Sequence, residues 1–234
     1  MRLTLAPLLL ALLLPAEAQA PAAAPAPIVV ELFTSQSCSS CPPAEAYFRE
    51  LAARPGLIAL EWHVDYWNDL RHGDAGRWRD PFSSPAYTER QRTYNERLRG
   101  GPGSYTPQAV IGGSAETVGS SRKAIESLIG EAGKAKPSAV ITAIRDKDIR
   151  FSVAGAPKNA EALLVTYRLA ATTSVKGGEN QGRTLNSAHL VTAAKKLSPG
   201  ATFSTPVPAS GEGCALLLSE PGQGRILAAA ACPP

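Results

Sequence analysis

The sequence predicts an α/β protein with two unlike parts. Strand and helix patterns alternate over residues 28–135, whereas residues 138–234 show short strands separated by turns and no long helical pattern. The second part is therefore expected to form a mostly antiparallel, sandwich-like β region. The first part also carries chemistry, because a Cys-x-x-Cys sequence stands where its first strand turns into its first helix.

Composition allows one large domain or two small ones. The chain has 234 residues, of which 44% are hydrophobic, enough to bury a core. The formal net charge is +4, and because Lys and Arg are scattered without a basic run, no nucleic-acid partner is expected. The N-terminal apolar run is short and no other stretch of about 18 apolar residues follows, so no stable membrane insertion is expected.

Residues 1–20 have the pattern of a secretory signal peptide. A positive residue precedes an apolar run over residues 3–15, and small residues then allow cleavage after Ala18 or Ala20. Residues 21–27 alternate Ala and Pro and are interpreted as an extended linker. We therefore expect a bacterial periplasmic or secreted location, where disulfides persist.

The first strand, residues 28–33, is apolar and β-branched, and small polar residues after it form a turn. Cys38 and Cys41 follow at Cys-x-x-Cys spacing, and Pro42 and Pro43 come next. Because proline is tolerated only in the first turn of a helix, the two prolines place the start of the helix at the second cysteine.

Strand, turn, Cys-x-x-Cys and helix together indicate a thioredoxin-type redox site. A thiol at a helix N-terminus faces unpaired backbone N–H groups and the positive end of the helix dipole, and both favour the reactive thiolate. We therefore expect Cys38 to be exposed and to attack a disulfide, and Cys41 to resolve the mixed disulfide that forms.

The second strand, residues 57–63, should run parallel to the first because a strand–helix–strand connection is right-handed. The carboxyl ends of the two strands then meet at one edge of the sheet, which brings His63 and Asp65 beside Cys38. His63 is interpreted either as a group that tunes the pKa of Cys38 or relays a proton, or as a histidine satisfied by a backbone carbonyl. Asp65 is expected either to orient His63 or to cap the following loop.

Several short strings resemble one family. ELFTSQSCSSCPPAEA is similar to the opening of a family of secreted bacterial thioredoxin-like proteins of unknown function, and HVDYW, DPF, ERQRTY, YTPQ, VGS and GENQGRTL follow in the same order as in that family. The resemblance spans about residues 28–232, nearly the whole mature chain. It implies a thioredoxin-like domain over residues 28–135 more than it implies a substrate.

The resemblance also implies roles for three further residues. In thioredoxin-like proteins a cis-proline precedes the third strand and faces the Cys-x-x-Cys. Pro107 matches that position, which leaves Thr106 free to pair with an extended substrate. Such proteins often bury a carboxylate beneath the cysteines as a proton acceptor. Glu31 is close to that place in the sequence, but it is shifted by one position, which on a strand means the opposite face.

The C-terminal part contains the other two cysteines. Cys214 and Cys232 lie almost symmetrically about a Pro-Gly turn, so strands paired across it would bring them within disulfide reach. We interpret them as a structural disulfide, the alternative being two buried thiols. Residues 178–183, Gly-Glu-Asn-Gln-Gly-Arg, are interpreted either as a plain surface turn or as a loop that docks on the first domain and covers the site.

These patterns favour a periplasmic thiol–disulfide oxidoreductase that exchanges disulfides with protein clients and with a redox partner protein. No flavin or nicotinamide fingerprint occurs, so no cofactor is expected. Two alternatives stay open. One is a metal-binding or metallochaperone role for Cys38 and Cys41 with His63 and Asp65, although the sequence holds no second Cys-x-x-Cys. The other is a non-catalytic binding module on the same fold.

Overall fold

The computed structural model describes residues 26–234, so the predicted signal peptide and residues 21–25 of the predicted linker lie outside the described residues. Within this range the predicted fold class is confirmed, because the chain is mixed α/β and its second half is mostly antiparallel β. No helix in this part of the chain is both long and apolar enough to cross a bilayer.

The described residues form eleven strands and three α-helices, with a short 3-10 turn at Gly73–Ala75. Helix α1 begins directly after Cys41, as the two prolines predict. The bounds in chain order are β1 Ile28–Thr34, α1 Pro42–Ala52, β2 Leu57–His63, α2 Pro85–Arg99, β3 Gln108–Ile111, β4 Ala115–Val118, α3 Arg122–Ala132, β5 Val140–Arg145, β6 Asp148–Ala154, β7 Glu161–Ser174, β8 Thr184–Leu197, β9 Thr202–Pro206, β10 Glu212–Ser219 and β11 Ile226–Ala231.

One eight-stranded sheet runs through most of the molecule, in the order β11-β10-β7-β8-β2-β1-β3-β4. Strands β1 and β2 are parallel and β3 is antiparallel to β1, which is the arrangement expected of residues 28–135. Strand β8 joins this part to the C-terminal strands through one parallel pair, Glu61 with Leu190. The sheet therefore contains strands from both predicted domains.

The alternation of side chains along β1 divides the first part into two layers. Val30 and Leu32 pack with α1 and α3 on one face, whereas Val29 and Phe33 pack on the other face, in the cluster that holds the aromatic residues of α2. The second sheet, β5-β6-β9, packs its apolar side chains on β10 and β11 and forms the predicted sandwich-like region.

Strands β7 and β8 are longer than the sequence predicts. Each has 14 residues, whereas the sequence pattern indicates strands only over 162–169 and 190–194. The end of β7 beyond residue 167 is largely exposed, so it lacks the alternation of apolar and polar residues that marks a half-buried strand, whereas the start of β8 buries Leu185 and Ser187. The extension matters because it carries the connecting loop, residues 175–183, across to the Cys-x-x-Cys.

Candidate functional site

The cysteines of the Cys-x-x-Cys sequence stand at the N-terminus of α1. Cys41 is the N-cap residue, and prolines occupy the first helical turn. Cys38 and Cys41 form a disulfide with 5.4 Å between their Cα atoms. Cys38 Sγ lies 3.3 Å from Ser40 Oγ. The sulfurs therefore lie at the positive end of the helix dipole, where a thiolate is stabilised.

The Thr106–Pro107 segment faces Cys38 from across the site. Its peptide bond is cis, and the carbonyl oxygen of Thr106 lies 3.8 Å from Cys38 Sγ. The hydroxyl of Thr106 accepts a hydrogen bond from Trp67 Nε1 at 2.9 Å. Thr106 is thus fixed through its side chain, and its carbonyl points toward the sulfur.

Both cysteines are completely buried, with 0% of either residue exposed. The expectation that Cys38 is exposed is therefore wrong for this conformation. The physical reason is that residues 175–183, which connect β7 to β8, cover the two cysteines. We call this segment the cap loop. Of the two interpretations of residues 178–183, the loop that docks over the site is the observed one.

The cap loop is held over the site by polar contacts. Glu179 Oε2 accepts a hydrogen bond from the backbone N–H of Ser39 at 2.7 Å. Asn180 Nδ2 donates to the carbonyl oxygens of Gln36 at 3.0 Å and Cys38 at 2.8 Å. The Ser39 N–H belongs to the turn just before α1, and its bond to Glu179 holds the pKa of that carboxyl below its ordinary value.

The polar turn before the cysteines is buried, yet its polar groups are satisfied. Asp80 Oδ2 accepts from the backbone N–H of Gln36 at 2.9 Å, and Trp78 Nε1 donates to Gln36 Oε1 at 3.1 Å. Ser37 Oγ donates to the carbonyl of Trp78 at 3.0 Å. The turn before the cysteines is therefore held by two segments: the loop between β2 and α2, and the cap loop.

His63 lies in a buried charged cluster behind this turn. Its Nδ1 is 2.6 Å from Asp80 Oδ2 and its Nε2 is 2.8 Å from Glu61 Oε1, with all three side chains inaccessible to solvent. Burial alone would lower the pKa of His63, but the two carboxylates raise it well above its ordinary value. Because both ring nitrogens face carboxylates, His63 bonds neither to a backbone carbonyl nor to Cys38.

Asp65 does not orient His63. Its Oδ1 accepts from Thr88 Oγ1 at 2.5 Å, and its backbone N–H donates to the same hydroxyl at 3.0 Å. Asp65 therefore ties the loop after β2 to helix α2, and Asp80 and Glu61 take the orienting role in its place.

The acidic residue closest to the disulfide along α1 is Glu45. It lies one turn after Cys41, its backbone N–H donates to the Cys41 carbonyl at 3.1 Å, and Thr34 Oγ1 donates to Glu45 Oε1 at 2.7 Å. Burial, followed by repulsion from Glu61, raises the pKa of Glu45 to about 7. Glu45 can therefore gain or lose a proton near neutral pH.

Glu31 belongs to another part of the molecule. It lies on the α2 side of the sheet, where Arg90 Nε donates to its Oε2 at 2.7 Å and Tyr94 donates to its Oε1 at 2.5 Å. Burial would lower the pKa of Arg90, but Glu31 raises it above its ordinary value. The shift of one residue along β1 thus separates Glu31 from the cysteines, and a role for it as their proton acceptor is wrong.

Within residues 26–234, no group of three His, Cys, Asp or Glu side chains converges in a way that could hold a metal ion. His63 already binds a carboxylate at each ring nitrogen. The ligand set considered from the sequence, two thiols with His63 and Asp65, is therefore not assembled in this conformation.

The second cysteine pair lies far from this site in the fold. Cys214 and Cys232 form a disulfide with 5.1 Å between Cα atoms, and the backbone N–H of Cys232 donates to the Cys214 carbonyl at 2.7 Å. Both residues pack in the apolar cluster between the two sheets.

Three residues of the site were not singled out from the sequence, namely Glu45, Glu61 and Asp80, and Glu179 and Asn180 were considered only as part of residues 178–183. The family strings also contain Asp80, in DPF, and the cap-loop pair, in GENQGRTL. Glu45 had a weaker signal, its i+4 spacing from Cys41 on a predicted helix. Glu61 had no signal in the sequence, because it is a single glutamate within an apolar strand.

The fold and the site define a class of mixed α/β proteins with a Cys-x-x-Cys disulfide at a helix N-terminus, opposite a cis-proline. Within it, the chain belongs to the family described as "Protein of unknown function (DUF1223)", whose profile matches residues 29–215. This match confirms the resemblance found in the sequence. No curated protein sequence matches the chain.

Two solved structures are similar to most of this chain. One is a crystal structure of an Agrobacterium tumefaciens protein from a structural genomics programme, 27% identical, covering 88% of this chain and 93% of that chain with a TM-score of 0.69. The other is HBP35 of Porphyromonas gingivalis, 14% identical, covering 88% of this chain and 74% of that chain with a TM-score of 0.57. At that identity the second likeness shows the fold alone.

Proposed function

We propose that this protein exchanges disulfides with protein clients outside the cytoplasm. The observation that carries the proposal is the Cys38–Cys41 disulfide at the N-terminus of α1, with the cis Thr106–Pro107 segment facing it. A disulfide in this position is suited to exchange, because the helix N-terminus stabilises the thiolate that attacks and the thiolate that leaves.

In the direction that reduces the client, the exchange has two steps. The Cys38 thiolate attacks a client disulfide, forms a bond to one client sulfur and releases the other as a thiolate. Cys41 loses its proton and attacks Cys38, which forms the Cys38–Cys41 disulfide and releases the second client sulfur. Two electrons pass from the protein to the client, and the reverse sequence oxidises a client dithiol.

Glu45 is the group we propose as proton acceptor for Cys41. It lies one helical turn further on, on the side of α1 that faces the sheet, and its pKa of about 7 suits proton exchange at neutral pH. Burial raises the pKa of Glu45 most; within the buried cluster Glu61 raises it further, whereas His63 lowers it.

The proposed location follows from the N-terminal composition and is tested by sequencing the mature N-terminus. Cleavage after Ala18 or Ala20 and recovery in the periplasmic fraction are the expected results. An unprocessed chain recovered with cytoplasmic proteins would contradict the location.

Exchange is tested by trapping with Cys41→Ala, which leaves Cys38 without its resolving partner. With scrambled, oxidised ribonuclease A as the client, a mixed disulfide through Cys38 should accumulate, and Cys38→Ser should form none. The matched control is the Cys214→Ser, Cys232→Ser double variant, which should retain exchange. No adduct with Cys41→Ala, together with equal alkylation of both variants by iodoacetamide, would refute the proposal.

A further inference from the structure

We infer that the cap loop, residues 175–183, is a gate that must lift from Ser39 and Cys38 before a client reaches the Cys38–Cys41 disulfide. The inference rests on the proposed exchange function and concerns the regulation of that same site. The inference starts from the burial of Cys38. This residue is positioned to react, yet 0% of its surface is exposed.

Thiol–disulfide exchange requires direct access to a sulfur, because the attacking thiolate bonds to the sulfur atom itself. In the closed arrangement Asn180 lies over the backbone of Cys38, and Glu179 holds the N–H of Ser39. On the opposite side stand the Thr106 carbonyl and Trp67. A client sulfur therefore reaches Cys38 only when either the cap loop or the side with Thr106 and Trp67 moves away.

Of these two sides of the site, the cap loop is the one that can move. The Thr106–Pro107 segment leads directly into strand β3 of the sheet, whereas the cap loop is the tip of the two-stranded β7–β8 extension. Strand β8 pairs with β2 only at Leu190, so the extension beyond that residue lies outside the main ladder. Beyond that residue, loop hydrogen bonds such as that from the Gly178 N–H to the Ala75 carbonyl at 3.1 Å, and not strand pairing, hold the extension to the rest of the molecule. A segment held in this way opens locally at lower free energy than strands in the middle of a sheet.

The loop is ordered within itself, which allows it to move as one unit. The backbone N–H of Gln181 donates to Gly178 at 3.1 Å, that of Gly182 to Val175 at 3.0 Å, and that of Val175 to Arg183 at 2.9 Å. None of these bonds reaches the cysteines. Lifting the loop therefore keeps its internal bonds and breaks those that hold it to its surroundings.

The bonds that latch the loop at the cysteine turn are polar and replaceable by water. They are the Glu179 contact with Ser39 and the two Asn180 contacts with Gln36 and Cys38. Because water can satisfy the same groups in the open state, each bond adds only modest net stability to the closed state, and the charged bond adds somewhat more. Close packing also keeps the closed state specific, since a Cβ on Gly178 would come within 2.9 Å of Ser37 Oγ.

The test compares the two disulfides of the oxidised protein under native conditions. Reduction by dithiothreitol is followed by thiol labelling and mass spectrometry in wild type, Glu179→Ala, Asn180→Ala and the matched control Gln181→Ala. Gln181 is exposed on the same loop. We expect the Cys38–Cys41 bond to be reduced about tenfold faster in the first two variants. We expect Gln181→Ala to match wild type, and the Cys214–Cys232 bond to react at the same rate in all four proteins.

Unchanged Cys38–Cys41 rates in both latch variants would overturn the gate, and so would equal acceleration of both disulfides, which indicates general loosening. A second measurement uses wild type alone: the Ser39 amide should exchange with deuterium at the rate of loop opening, slower than a free amide. Failure of the exchange function gives a different result. In that case the latch variants are reduced faster, but Cys41→Ala in the same background still forms no adduct with scrambled ribonuclease A.

Discussion

The two disulfides of this chain have similar Cα separations and opposite surroundings. Cys38 and Cys41 are three positions apart, at a helix N-terminus and under polar contacts from a loop. Cys214 and Cys232 are 18 positions apart, close a hairpin and lie in an apolar cluster. The comparison teaches that the surroundings of a disulfide, more than the bond itself, determine how readily it can react.

The largest expected change in stability comes from the buried charged cluster around His63. Asp80→Ala removes the partner of His63 and Gln36 and leaves a buried imidazolium with one carboxylate, so the free energy of unfolding should fall by about 4 kcal/mol. Urea unfolding followed by circular dichroism measures the loss. Asp69→Ala is the control, because Asp69 is exposed and 3.8 Å from Arg79, and it should change stability little. Equal effects of the two substitutions would show that the network is not important for stability.

Opening the second disulfide should cost less than Asp80→Ala but more than opening the first. The Cys214→Ser, Cys232→Ser variant frees a ring with a sequence separation of 18 and should lose about 3 kcal/mol of unfolding free energy. The Cys38→Ser, Cys41→Ser variant frees a ring with a separation of 3 and should lose about 2 kcal/mol. Urea unfolding of the three proteins decides the order, and a larger loss from the first pair would reverse the assignment of roles.

The smallest effect concerns Glu45 and depends on pH. Its pKa is raised from 4.5 to about 7 in the folded protein, so the folded state binds more protons than the unfolded state between these values. Wild type should therefore lose stability relative to Glu45→Gln as the pH rises, by roughly 2 kcal/mol between pH 5 and pH 7. Parallel urea titrations at the two pH values measure the difference, and a constant difference would contradict the raised pKa.

Local patterns were enough to predict the elements that surround the first disulfide. The prolines after Cys41 determine where α1 begins, and alternation along β1 explains why Glu31 lies on the far face. The pairing of Cys214 with Cys232 follows from the symmetry of a hairpin, which is also a local feature. Such predictions succeed because the interacting residues are close in the sequence or share one periodic element.

The rest of the site is assembled across long stretches of chain, and periodicity carries no information about it. Glu179 meets Ser39 across 140 positions, and Asn180 meets Cys38 across 142. The end of β7 that leads into this loop is largely exposed, so hydrophobic alternation fades where that strand continues. The exposure predicted for Cys38 was wrong for the same reason: the sequence pattern allowed residues 178–183 either to cover the site or to form a plain surface turn, and local periodicity does not decide between the two.

The single pair that joins β8 to β2 has a practical consequence for anyone who shortens this gene. A fragment ending near residue 135 would keep the cysteines and the cis-proline but would lose the strand beside Glu61 and every atom of the covering loop. Its sulfurs would then meet any thiol in solution. Under the exchange function proposed above, the C-terminal half is therefore the part of the chain that restricts which thiols reach Cys38 and Cys41.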